Sequence, residues 1–257
     1  MSSATERREQ LKAAYDEAKD CTRCALHQTR TTVVFGAGNA DAALMFVGEA
    51  PGANEDRMGL PFVGQAGKLL DKLLSEIGLE RTDVFIANVL KCRPPGNRDP
   101  QPREIESCQD YLRRQVDLIE PTVICTLGNF STKLLRGDPT GISRLHGRDE
   151  VRVIGSRAVR LYPLYHPAAA LYTPSMLETL RADFARLPAL LELGPPEQPP
   201  AAESLPAPEE LDPAEAGLEA GGEPAPGSSS GEPGGTSEPD TPPVTVPDQP
   251  AAQLGLF

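Results

Sequence analysis

The sequence predicts an α/β fold, a three-layer α/β/α sandwich around a central four-stranded, mostly parallel sheet. Two observations carry this expectation. Four short runs, 42–48, 84–90, 122–128 and 159–165, are apolar nearly throughout and bounded by turn residues, as strands buried on both faces are. Stretches with helical spacing lie between them, and strands that alternate with helices run parallel because each crossover returns the chain to the same end of the sheet.

Each element has its own signal. The first strand, 42–48, runs into the turn Gly48-Glu49-Ala50-Pro51-Gly52. Leu69, Leu70, Leu73, Leu74 and Ile77 then repeat at helical spacing, and Gly78 supplies a stop. After the strand at 84–90, Pro102 opens a second helix marked by Ile105, Leu112, Val116 and Ile119. The strand at 122–128 leads into a short helix over 129–135. The last strand, 159–165, is followed by one helix over 174–190, in which Pro174 takes the first position and Met176, Leu177, Leu180, Phe184 and Leu187 form the apolar face. In such sheets ligands bind beyond the carboxyl ends of the strands, so the chemistry is expected just after residues 47, 87, 126 and 165.

Composition divides the chain of 257 residues. From Gly194 onward there is no Lys or Arg, while 15 of the 27 prolines and 12 of the 37 acidic residues lie there. The remaining 25 acidic residues balance the 25 basic ones, so the net charge of −12 belongs to the tail. Acidity segregated in this way does not argue against a nucleic-acid partner for the rest. Residues 1–193 read as one globular domain with one core, and residues 194–252 as a disordered acidic, Pro-rich tail too poor in large apolar side chains to fold. The N-terminus has no apolar stretch of the secretory kind, and no run reaches the roughly 18 apolar residues of a membrane span. A soluble, cytoplasmic monomer is expected.

Five cysteines in such a chain point to metal or thiol chemistry before disulfides. Cys21 and Cys24 form a Cys-x2-Cys pair, Cys92 lies directly behind a strand, and Cys108 lies in a helix. Cys125 sits inside an apolar strand and reads as core. Four thiolates suit either zinc or an iron–sulfur cluster, and the spacing alone leaves both open.

Three polar motifs fall at strand ends. Glu49 follows the first strand, Asn88 ends the second, and His166 follows the fourth in Tyr165-His166-Pro167. Each alone has an ordinary explanation as a surface carboxylate, a local hydrogen-bonder or a loop. Their convergence at one end of the sheet is where a substrate pocket belongs. By contrast, Gly64-Gln65-Ala66-Gly67-Lys68-Leu69 is too short for a phosphate-binding loop and has Leu69 where Ser or Thr is required.

Taken together, the Cys-x2-Cys pair, Gly48-Glu49-Ala50-Pro51-Gly52, Pro61-Phe62-Val63-Gly64, Asn88 with Lys91-Cys92-Arg93-Pro94-Pro95, Cys108 and His166-Pro167-Ala168-Ala169 resemble the iron–sulfur, family 4 uracil-DNA glycosylases. The resemblance covers roughly residues 11–190. It implies the fold of that family, a 4Fe–4S cluster on Cys21, Cys24, Cys92 and Cys108, and a monofunctional enzyme that flips uracil out of DNA and hydrolyses its N-glycosidic bond. Phe62 would stack on the uracil, with Gly48 beside it. Asn88 would read the ring N–H and its neighbouring carbonyl, a pattern that cytosine reverses. His166 would donate to the carbonyl that gains charge as the bond breaks, and Glu49 would orient water or support the cationic sugar. Other uracil glycosylases carry a water-activating Asp one position after Glu49, where this chain has Ala50. Some similar proteins capture abasic DNA through a His in the segment matching 95–102, but none occurs here.

DNA contacts are expected from Lys91, Arg93, Arg98 and Arg103 behind Asn88, and from Arg144, His146 and Arg148 before the last strand. Leu171 is expected to wedge into the gap left by the flipped base. The final residues Gln253, Leu254, Gly255, Leu256 and Phe257 resemble the pentapeptide that binds the bacterial sliding clamp. Two rival readings are a glycosylase for deaminated purines and a non-catalytic iron–sulfur clamp adaptor. Asn88 with His166 favours the enzyme, since an adaptor needs neither.

Overall fold

The computed structural model describes residues 3–200, so the tail over 201–252 and the peptide over 253–257 lie outside the described residues. In chain order the elements are α1 (Ala4–Lys19), β1 (Ala37–Gly38), β2 (Leu44–Gly48), α2 (Ala53–Met58), α3 (Gln65–Glu76), β3 (Phe85–Asn88), α4 (Pro102–Ile119), β4 (Val123–Leu127), α5 (Asn129–Arg136), α6 (Ile142–Leu145), β5 (Glu150–Ile154), β6 (Arg157–Leu164), α7 (Pro167–Ala170), α8 (Pro174–Phe184) and α9 (Leu187–Glu192). Short 3-10 turns occur at Ala25–Gln28 and Pro95–Asn97.

The α/β class and the four parallel strands are as expected, but the sheet has six strands in the order β1-β3-β2-β4-β6-β5. β2 pairs in parallel with β3 and β4, and β4 with β6. The two additional strands are antiparallel edges. β1 is only two residues long, too short for a periodic signal. In β5 exposure alternates, with Val151 and Val153 facing outward, as befits an edge solvated on one face rather than a doubly buried strand.

Alternation along the central strands builds the two cores. Met45, Val47, Phe85, Ala87 and Ile124 face a layer with Leu11, Ala14 and Tyr15 of α1 and Tyr111, Leu112 and Val116 of α4. Leu44, Phe46, Ile86, Val123 and Cys125 face the opposite layer with Leu70, Leu73 and Leu74 of α3, and Leu180 and Phe184 of α8. Helix starts are set by local chemistry. Ser3 and Glu6 close a reciprocal capping box on α1, and Pro102 opens α4 behind the Gln101–Glu104 box. The expected helix over 174–190 is instead two helices, α8 and α9, because Pro188 has no N–H to continue the ladder and sits in the first turn of a new helix. Among the described residues no helix is long and apolar enough to cross a membrane.

Candidate active site

A cleft of about 500 Å3 opens at the carboxyl end of the sheet. Its lining includes Glu49, Glu55, Phe62, Asn88, Asn97, Arg98 and His166. The three strand-end groups anticipated from sequence therefore meet in one place, with Phe62 as an aromatic wall.

Phe62 sits at φ 53°, a left-handed conformation that costs a bulky side chain of order 1–3 kcal/mol and persists only where neighbours enforce it. The enforcement is visible. Arg81 donates to the carbonyls of Pro61 at 2.9 Å and Phe62 at 2.6 Å. On the other side, Glu55 Oε1 accepts the main-chain N–H groups of Val63 at 2.9 Å and Gly64 at 3.0 Å. α3 presses directly onto this turn, since a Cβ added at Gly67 would lie 1.7 Å from the Phe62 carbonyl oxygen. Arg81, Glu55 and Gly67 are functional supports that the sequence reading missed. Their partners lie up to 20 residues away, and no spacing rule announces that relation.

Asn88 ends β3, is only 2% exposed and stands in register with Gly48 of β2. A Cβ at position 48 would lie 2.4 Å from Asn88 Oδ1 and 2.8 Å from the Phe62 ring. Gly48 therefore lets the amide and the aromatic edge approach each other. His166 caps α7, and its Nδ1 accepts the N–H of Ala168 at 3.1 Å. That bond assigns the remaining ring proton to Nε2. Burial lowers the His166 pKa, against a smaller opposing pull from Glu55, so the neutral form is favoured. The His166 and Phe62 rings stack with centroids 5.6 Å apart. Burial, reinforced by Asp99, raises the Glu49 pKa. Glu49 and His166 also border an adjoining groove with Asp99 and Lys133.

The basic residues divide. Arg98 lines the cleft and is clamped by Glu104 through bonds of 2.9 and 2.6 Å. Arg93 holds Asn97, another lining residue, at 2.7 Å. Arg103 is exposed on the first turn of α4. Arg144 and Arg148 border a different pocket with His146, Asp183 and Arg186. The ring centroid of His146 in that pocket lies 4.5 Å from that of Tyr165, the residue before His166. Leu171 is half-buried at the end of α7, while the neighbouring Tyr172 is 89% exposed. Lys91 is a correction. It was expected to meet DNA, yet it is 1% exposed and its ammonium is held inside the protein, so it is withheld from phosphate.

Cys21, Cys24, Cys92 and Cys108 all line a second, tightly closed pocket, together with Arg23, Arg30, Lys91 and Tyr111. Donors already point at two of the sulfurs, from Lys91 N to Cys108 Sγ at 3.3 Å and from Arg30 Nη1 to Cys92 Sγ at 3.5 Å. Burial pushes the Cys92 thiol up to about 12 and also raises Cys108. Among the described residues no three His, Cys, Asp or Glu side chains gather tightly enough to hold a single metal ion. Cys125 is fully buried in the opposite layer, away from the other four, as expected for a core residue.

An aromatic wall, a buried amide and a neutral imidazole around one slot at the carboxyl edge of a parallel sheet make a site for a planar ring that both donates and accepts hydrogen bonds. The Uracil DNA glycosylase superfamily pattern matches residues 35–188, and the chain belongs to that superfamily. It is 49% identical over 176 residues to the Type-4 uracil-DNA glycosylase of Archaeoglobus fulgidus, covering 66% of this chain and 88% of that protein. The corresponding protein of Sulfurisphaera tokodaii is 48% identical, covering 69% and 83%, and that of Saccharolobus solfataricus 46%, covering 70% and 86%. These similarities meet the family resemblance drawn from the motifs.

Proposed function

We propose that the protein is a monofunctional uracil-DNA glycosylase of base excision repair. The observation that carries this reading is the Phe62–Asn88–His166 slot, seated on Gly48, in a chain 46–49% identical to three Type-4 uracil-DNA glycosylases. A uracil flipped from DNA enters the slot and stacks on Phe62. The Asn88 amide accepts from the ring N–H and donates to the adjacent carbonyl. As the N-glycosidic bond breaks, its electron pair moves onto the ring, and the Nε2–H of His166 stabilises the charge that gathers on the other carbonyl. Water adds to the anomeric carbon with Glu49 orienting it or supporting the cationic sugar. Its oxygen stays on the sugar, and its two protons balance the uracil N–H and the sugar hydroxyl. Among the described residues the cleft lining holds carboxylates, amides, an imidazole and the Arg98 guanidinium but no lysine, which suits attack by water rather than by an amine. Arg93, Arg98, Arg144 and Arg148 are proposed phosphate contacts, with Leu171 as the wedge.

Cys21, Cys24, Cys92 and Cys108 are proposed to hold a 4Fe–4S cluster. Four thiols bordering one pocket, with N–H donors and cations beside them, fit an anionic cluster better than a single ion. The cluster would supply cross-linking, tying the segment after α1 to the end of β3 and to α4. Replacing Cys92 or Cys108 by Ser should abolish the broad visible absorbance near roughly 400 nm expected of thiolate-ligated iron, and Cys125→Ser should preserve it. A colourless protein carrying one zinc overturns this assignment. A further proposal is that Gln253, Leu254, Leu256 and Phe257 bind the bacterial sliding clamp. Loss of clamp binding in the Leu256→Ala, Phe257→Ala double variant supports it, and absence of binding by the wild type refutes it.

The test of the central reading is base release from oligonucleotides containing uracil, hypoxanthine or thymine. Uracil should be released and thymine retained. Release of hypoxanthine alone, or of no base, overturns the reading.

A further inference from the structure

Lys91 is among the largest fully buried side chains of the protein. Its Nζ donates to the main-chain carbonyl of Asn88 at 2.8 Å and to Gln115 Oε1 at 2.5 Å. Gln115, itself fully buried on α4, is oriented by donating from Nε2 to the Phe35 carbonyl at 2.9 Å. Lys91 Nζ also lies 5.7 Å from the centroid of the Phe35 ring. The other end of the residue faces the cysteines. Its N–H donates to Cys108 Sγ at 3.3 Å, its peptide neighbour is Cys92, and its carbonyl accepts the N–H of Val34 at 2.8 Å.

Burying an ammonium is costly unless it is paired or hydrogen-bonded, and the same donor at the surface would cost nothing. Its position explains what the burial secures. Asn88 is the last residue of β3, and the chain beyond it stays tied to β2, with the N–H groups of Val89 and Leu90 donating to the Gly48 and Glu49 carbonyls, both at 3.0 Å. To these the ammonium adds a charge-assisted bond, of the stronger class, to the carbonyl of Asn88 itself.

We propose that Lys91 is a positioning residue for base reading. Its side chain fixes the main chain of Asn88 and its backbone is anchored in the cysteine pocket, so that pocket and amide move as one unit. The inference rests on the proposed glycosylase reading only for what Asn88 reads. A small loss of alignment at such a group is expensive, since displacement by about 1 Å lowers rates on the order of 100-fold.

The experiment compares Lys91→Met and Gln115→Leu with wild type in the full-length protein. Single-turnover uracil release, affinity for uracil-free duplex across a salt series, visible absorbance and thermal midpoint are measured. Lys91→Met removes the bond to Asn88, whereas Gln115→Leu weakens the same buried network but keeps that bond. Expected for Lys91→Met is a 10- to 100-fold slower release, on the order set by misalignment, with duplex affinity and salt slope unchanged. Gln115→Leu, at a comparable loss of thermal midpoint, should slow release several-fold less. Equal slowing in the two variants, tracking the midpoint, would mean a purely structural role and overturn the proposal. So would an unchanged rate in Lys91→Met, or a weaker affinity with a shallower salt slope, the signature of a phosphate contact. Should Lys91→Met not fold, Lys91→Gln, which is shorter and carries no charge, takes its place in the same comparison with the same deciding outcomes. Failure of the wild type to release uracil would refute the glycosylase reading instead. In that event the effect of Lys91→Met on Cys108 alkylation still reports whether the buried side chain is coupled to the cysteine pocket, and unaltered alkylation would overturn that coupling.

Discussion

The Nδ1 atom of His166 accepts the main-chain N–H of Ala168 at 3.1 Å, so the residue that faces the cleft also begins α7. Protonating the ring would turn that acceptor into a donor facing another donor. Burial already holds the folded-state pKa below the ordinary 6.5. In the window between the two values the unfolded chain binds the extra proton, so stability falls as the pH drops through about 6.5 and levels off below the folded pKa. His166→Asn keeps an acceptor for the cap without a titrating group. Its thermal midpoint should therefore fall less than that of wild type between pH 7.5 and 5, while uracil release is lost. Identical pH profiles would refute the assignment of the neutral ring.

Glu49 shows the opposite sign. Burial, then Asp99, raises its pKa above 4.5, which means the charged carboxylate carries a cost in the folded protein at neutral pH. If that carboxylate orients water, the acid limb of kcat/KM lies above the usual carboxylate range and disappears in Glu49→Gln. The variant should lose on the order of 100-fold or more in rate, as for other positioned acid–base groups, yet melt at a higher temperature than wild type near pH 7. A lower midpoint together with full activity would refute the role.

Gly48→Ala tests the slot itself. The added methyl meets Asn88 Oδ1 and the Phe62 ring at distances no real Cβ tolerates, so one of them moves. A stability loss of about 1–3 kcal/mol is typical of overpacking, and uracil release should fall on the order of 100-fold by misalignment. Asn88→Ala should match that activity loss without the stability loss and with duplex affinity preserved. Affinity for duplex in a salt series, read beside single-turnover rates, separates the two.

Arg81→Leu tests the clamp on Phe62. The two charge-assisted bonds to the Pro61 and Phe62 carbonyls vanish, and the left-handed turn loses its outer support. A loss of about 2–3 kcal/mol is expected from bonds of this class, along with weaker inhibition by free uracil, measured by competition. Unchanged uracil inhibition would mean that Glu55 and Gly67 hold the turn unaided.

Much of this was legible before any coordinates. Periodic apolar runs revealed the four buried strands, because burial on both faces leaves a long continuous signal. The edge strands β1 and β5 escaped notice, one being two residues long and the other alternating in exposure. Glu49, Asn88 and His166 were recognisable since strand ends in a parallel sheet converge. The clamp of Arg81 and Glu55 was not, because its bonds join residues 8 to 20 positions apart with no periodic relation. Lys91 was misjudged for a physical reason. A lysine in a loop sequence reads as solvated, and only the acceptors on Asn88 and Gln115 reveal why it is buried.

The strand order has a consequence for what the slot admits. Asn88 and His166 stand at the ends of β3 and β6, with β2 and β4 between them. Those middle strands end at Gly48 and lead into Gly128, so neither raises a side chain between the two walls. Three inter-strand steps of about 4.8 Å separate the walls. The spacing of the two strand ends is thus fixed by main-chain hydrogen bonding, whichever side chains stand on them. Substituting Asn88 or His166 alters which edge pattern is recognised, while the strand spacing stays constant. Divergent members could in this way acquire new base preferences by exchanging a few strand-end residues, with no rebuilding of the sheet beneath them.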